Sequence, residues 1–203
     1  MNLSSLLRLV FTAAAVAAAP SLATSGSETG PSMVVGKVTS QPIGHHEFCK
    51  LNPSECSQRS PSAPARKLTV EAWGEIERVN TAVNQRIRPK PDRQIYGREE
   101  VWTYPETEGD CEDFALLKRR ELAEKGFALS DLLLTVVRKS DGEGHAILTV
   151  RTSDGDFVLD NLDPKVRRWT ETAYVYVKRQ SSLNTSQWLS IENSRDVPVG
   201  SVH

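Results

Sequence analysis

The chain has 203 residues and a formal net charge of −1, with 38% hydrophobic and 25% charged residues, an ordinary composition for a soluble globular protein. That length suits one domain plus tails. The charges are balanced and no basic stripe interleaves with aromatics, so nucleic acid is excluded as an expected partner.

In MNLSSLLRLVFTAAAVAAAPSLA, Arg8 precedes an apolar run over 9–19, and the small residues Ser21 and Ala23 follow. This is the order of a secretory signal peptide. A membrane anchor is the other reading, but the run is alanine-rich and shorter than the roughly 20 residues a spanning helix needs. A signal peptide over 1–23 would deliver a periplasmic or secreted protein. Residues 24–66 read as a flexible N-terminal segment, rich in Gly, Ser, Thr and Pro, with a short strand at 33–35 and a loop at 57–66. Within it, Cys49 and Cys56 lie close together in FCKLNPSEC. In an oxidising compartment they read as a local disulfide, the alternative being two unpaired thiols. Cys111 is then left over, which flags a reactive thiol.

The first firm element follows Leu68. Trp73, Ile76, Val79, Val83 and Ile87 recur at helical spacing, Thr69 can cap the start, and Pro89 ends the run. Residues 88–109 form a long polar connection, a length that marks functional or disordered loops. GDCEDFALLKRRELAEKG reads as a second helix, with Asp110 as N-cap, Cys111 in the first turn and Gly126 at the C-terminus. Apolar, β-branched and alternating patterns then predict strands at 132–138, 145–151, 157–160 and 174–179, with a tight turn at Asp154-Gly155. Two helices followed by antiparallel strands argue an α+β domain. It spans 67–192, with a loose tail at 193–203.

Cysteine chemistry needs a thiolate, a base and a group to orient the base. Cys111 sits where helix amides lower a thiol's pKa and can hold an oxyanion. The neighbouring acids Asp110, Glu112 and Asp113 oppose that. Of four histidines, His145 alone lies in the patterned core. Asp160 follows it at a separation whose parity puts both on one face of a hairpin. Ideal pairing would still offset them along the strands, so a bulge or longer turn is expected to close the gap. Each residue alone reads more simply as structural. A leftover cysteine, one core histidine and an acid on the matching face together point to a triad.

GDCEDFA, GHAILTV and VLDNL, with the VWTYPETEGDCEDFA approach and FCKLNPSEC, resemble the motif blocks of the bacterial transglutaminase-like cysteine proteinase family. The resemblance covers about residues 48–188. It implies a papain-like α+β fold with Cys111 as nucleophile, His145 as base and Asp160 as orienting acid. It also implies an oxyanion role for Trp102, against the alternative of loop packing. Some members are periplasmic proteases that clip surface adhesins and need calcium. By position Asp110, Glu112 and Asp113 match calcium-binding acids, the alternative being that they cap the helix and complement its dipole. A protein substrate of the adhesin kind is therefore implied, with room for a membrane-bound regulator. Two other functions use the same residues: acyl transfer to an amine, and a binding module whose triad is idle.

Overall fold

The computed structural model describes residues 31–192; the expected signal peptide and the tail at 193–203 lie outside them. In chain order the elements are β1 (Val35–Thr39), α1 (Ile43–Leu51), α2 (Pro53–Cys56), α3 (Val70–Arg86), β2 (Arg88–Pro89), α4 (Asp92–Tyr96), β3 (Glu108–Gly109), α5 (Cys111–Glu124), β4 (Leu132–Arg138), β5 (Gly144–Thr152), β6 (Gly155–Leu159), β7 (Arg167–Arg168), β8 (Val175–Gln180) and β9 (Trp188–Ile191). A seven-stranded sheet runs β1-β9-β8-β4-β5-β6-β7, with every neighbouring pair antiparallel. Helices α3 and α5 pack on it, giving the expected α+β architecture.

Helix α3 forms for the reasons its sequence states. Thr69 Oγ1 accepts the Ala72 N–H at 3.1 Å, satisfying one of the first-turn donors that have no helical partner. Ile76, Val79 and Val83 form its buried face. The helix stops at Arg86, before Pro89. Helix α5 ends as expected too, with Gly126 just beyond it at φ +83°.

Side chains alternate between the two faces of a strand. Leu132, Leu134, Leu148, Val150 and Leu159 accordingly join α3 and α5 in the main core. Val137, Ile147 and Val158 face the other way, under Met33, Trp169, Tyr176 and Ile191. Burying each large apolar side chain contributes about 1.5–3 kcal/mol.

The expectation of a flexible segment over 24–66 is corrected between Met33 and Cys56. β1 pairs with β9 at the sheet edge, Met33 N donates to Asp156 Oδ2 at 2.9 Å, and α1 buries Phe48 in the main core. These partners are over a hundred residues away or in the core, so local composition carries no trace of them. Cys49 and Cys56 are bonded to each other, tying α1 to α2. Arg119 of α5, almost wholly buried, reaches back to Glu55 of α2 at 3.0 Å. Replacing both cysteines with serine is expected to cost about 2.5 kcal/mol by the loop-entropy relation. Thermal melts of the variant against wild type, with non-reducing peptide maps, would measure this.

Candidate active site

The long connection 88–109 is shaped around the start of α5. β2 and β3 pair in parallel, Arg88 against Glu108 and Pro89 against Gly109, and this brings α4 beside Asp110. The backbone then turns into α5 with Cys111 as its first residue. Asp110 is the N-cap residue by position, but its side chain makes no capping bond. Its Oδ2 instead accepts the Asp92 N–H at 3.4 Å.

Cys111 Sγ accepts the Ala146 N–H at 3.4 Å. β5 extends past the end of β6, whose register stops at Leu148–Leu159, so this amide is free to meet the thiol. His145 is the residue just before Ala146. Its Nε2 lies 2.8 Å from Asp160 Oδ1, and its Nδ1 makes no hydrogen bond among the described residues. His145 of β5 thus pairs with Asp160 from the segment after β6, and the Cys111 thiol of α5 meets the amide next to His145.

The expected bulge is absent. Register from Thr152–Gly155 to Leu148–Leu159 is unbroken, the turn is centred on Ser153 and Asp154, and Gly155 follows at φ +108°. Extending that register sets Asp160 opposite Ile147, one side-chain step from His145. Diagonal neighbours on an antiparallel pair are within reach of long side chains, so imidazole and carboxylate close the gap themselves.

Asp160 is almost fully buried, and burial alone would raise its pKa. The bonds from His145, the Leu162 N–H and the Tyr174 hydroxyl outweigh that and hold the carboxyl below its usual range. The thiol moves the other way. Burial, then the charge and hydrogen bond of Glu112, push the Cys111 pKa well up, and Sγ–H donates to Glu112 Oε2 at 3.0 Å. Both effects oppose the pull of the helix N-terminus on the thiol proton.

Glu112 is also where the expected acid set changes. The carboxylates that gather are those of Asp92, Asp110 and Asp113, one oxygen from each lying within 4.8 Å of the others; Glu112 gives an oxygen to the thiol and also stands against Asp110. Each aspartate gives one oxygen to a backbone N–H: Asp92 Oδ2 to Val101 at 2.5 Å, Asp110 Oδ2 to Asp92, and Asp113 Oδ1 to Thr103 at 2.8 Å. The other oxygens, Asp92 Oδ1, Asp110 Oδ1 and Asp113 Oδ2, are buried without a partner. Gly109 makes room, since a Cβ there would sit 2.7 Å from Asp113 Oδ2. Buried, unpartnered carboxylate oxygens within one cluster of three aspartates fit a hard cation, and oxygen ligands suit calcium. Asp92 was not singled out from sequence. The only signal was its place in a long polar loop.

Trp102 is buried against His45 and Trp188, with ring centroids 5.4 and 6.3 Å away. Its Nε1–H donates to Glu100 Oε2 at 3.2 Å. The surrounding rings and the bond to Glu100 fit the packing alternative, and the oxyanion role stays what the family resemblance implies.

Residues 35–196 match the family profile described as bacterial transglutaminase-like cysteine proteinase BTLCP. Among solved structures, one of Legionella pneumophila LapG aligns with a TM-score of 0.50 at 23% identity, covering 74% of this chain and 81% of that one. An EGTA-treated LapG gives 0.51 at 24%, covering 77% and 82%. A calcium-bound LapG gives 0.49 at 23%, covering 76% and 85%. At these identities the likeness is one of fold. No curated protein matches the chain.

Proposed function

This chain belongs to the bacterial transglutaminase-like cysteine proteinases, and from that premise we propose that it is exported and hydrolyses a peptide bond of a surface protein through Cys111, His145 and Asp160. The observation that carries the reading is the 2.8 Å His145–Asp160 bond one residue from the amide that contacts the Cys111 thiol. In this reading His145 Nδ1 takes the thiol proton and Sγ attacks the substrate carbonyl. First-turn amides of α5, which have no helical partner, hold the oxyanion. The imidazolium hands its proton to the leaving amine, and the acyl-enzyme remains. Water, deprotonated by His145, then releases the acid and the free thiol. Asp160 orients the imidazole throughout.

Asp92, Asp110 and Asp113 would hold a calcium ion. Its charge would supply a counterweight to the carboxylates crowding the thiol. The family resemblance supports a large surface adhesin as substrate and a membrane-bound regulator as a further partner. Mass spectrometry of surface proteins from cells carrying wild type or Cys111→Ala tests the function. A new C-terminus that appears only with wild type supports hydrolysis, and identical surface proteins would refute it.

Export rests on the sequence of residues 1–23, which fits a signal peptide. Among the described residues no helix is long and apolar enough to cross a membrane. N-terminal sequencing of protein from a periplasmic extract should begin near Thr24. Full-length protein retained in the membrane fraction would mean an anchor instead.

A further inference from the structure

We infer that Tyr174 is a positioning residue for the proposed triad, its hydroxyl fixing Asp160 and its ring covering the His145–Asp160 pair. The inference rests on the triad reading above. Asp160 Oδ1 serves both His145 Nε2 and the Leu162 N–H, at 2.8 and 3.0 Å. Oδ2 accepts from the Tyr174 hydroxyl at 2.5 Å, and no other donor to it is found among the described residues. Without that hydroxyl a buried carboxylate oxygen would be left bare, which is costly, and the carboxylate could turn away from the imidazole. A hydrogen bond to an ionised acceptor is among the stronger ones. The phenol is kept a donor: burial, then its hydrogen bond to Asp160, raise its pKa.

Tyr174 is held in place by what flanks it. The Trp169 carbonyl accepts from Thr172 Oγ1 at 2.9 Å and from the Tyr176 hydroxyl at 3.1 Å, so the chain on either side is anchored to one point. The Tyr174 ring centroid lies 5.6 Å from that of His145, tilted by 51°. Tyr174 and Asp160 also line a cavity of about 320 Å³ with Val158, Asp163, Lys165 and Arg167. Removing the ring would enlarge that cavity beside the acid, and a wetter site weakens the carboxylate's hold on the imidazolium.

The test is the rate at which iodoacetamide alkylates Cys111 at pH 7 in the full mature chain, in wild type, His145→Ala, Asp160→Ala, Tyr174→Phe, Tyr174→Leu and the Tyr174→Phe/Asp160→Ala double variant. Circular dichroism checks that each is folded. Tyr174→Phe keeps the ring and is expected to react about tenfold more slowly, the scale of one charge-assisted hydrogen bond. Tyr174→Leu, which loses ring and hydroxyl, should lose at least as much. On the Asp160→Ala background Tyr174→Phe should change nothing further, because its partner is gone. A purely structural role would slow both backgrounds equally, and that result would overturn the inference. So would wild-type rates in both folded Tyr174 variants while Asp160→Ala reacts slowly; the triad reading would then stand. Equal rates in wild type and His145→Ala would overturn the triad and this inference with it.

Discussion

Cys111→Ala is expected to abolish peptide-bond cleavage, with turnover falling by about a millionfold, the scale on which losing a triad nucleophile acts. Cys111 is the free cysteine among the described residues, and its thiol meets the Ala146 amide next to His145. His145→Ala should lose within about tenfold as much, since the imidazole both takes the thiol proton and returns it to the leaving amine. Asp160→Asn should lose less, about ten-thousandfold, because it orients rather than reacts. The effects should not add, as members of one catalytic unit fail together. Cleavage of the identified surface protein in vitro, with circular dichroism to confirm folding, measures all three. A folded Cys111→Ala protein with wild-type turnover would end the proposed mechanism.

Thermal melts in chelator should show stability falling as pH rises from about 5 to 8.5, and calcium should remove most of that fall. Burial first, opposed by the Val101 N–H and aided by the charge of Asp110, raises the Asp92 pKa to about 6. Burial first, with Asp110 and Asp92 adding charge, raises that of Asp113 to about 8. Unfolded aspartates titrate near 3.9, so the native ion-free protein holds protons the unfolded chain has already released. Stability is then highest at low pH and is lost up to the folded pKa values. The total is on the order of a few kcal/mol. A cation bound by the same oxygens replaces those protons and binds only the folded state, so it should lift the melting temperature most at the alkaline end. Asp113→Asn should melt with a flatter pH dependence in chelator and should not respond to calcium. Identical melting curves with and without calcium across this range would leave the acids as helix-dipole partners alone.

Different physical scales separate what the sequence declared from what it hid. Thr69, the spacing of Ile76, Val79 and Val83, and Gly126 act within one or two turns, so α3 and the end of α5 could be read directly. The alternation in β4 and β5 is likewise local. Cys111, His145 and Asp160 could be named because each stood out by exclusion or parity within its own stretch. The strand β1 was only half legible, since its partner β9 lies at the far end of the domain.

The site's second layer was not legible. Asp92 joins Asp110 and Asp113 only because β2 and β3 pair and carry α4 to the start of α5. Glu112 accepts from the thiol while also standing against Asp110, a double role no local pattern announced. Trp102 gives its N–H to Glu100 within a core shared with His45 and Trp188. By itself the sequence determined the elements, the reactive residue types and their order along the chain, because propensity, capping and periodicity are short-range. Only the tertiary structure decided which acids face one another, which oxygen lacks a donor and what holds Asp160, because those depend on distances between residues that the sequence does not bring near.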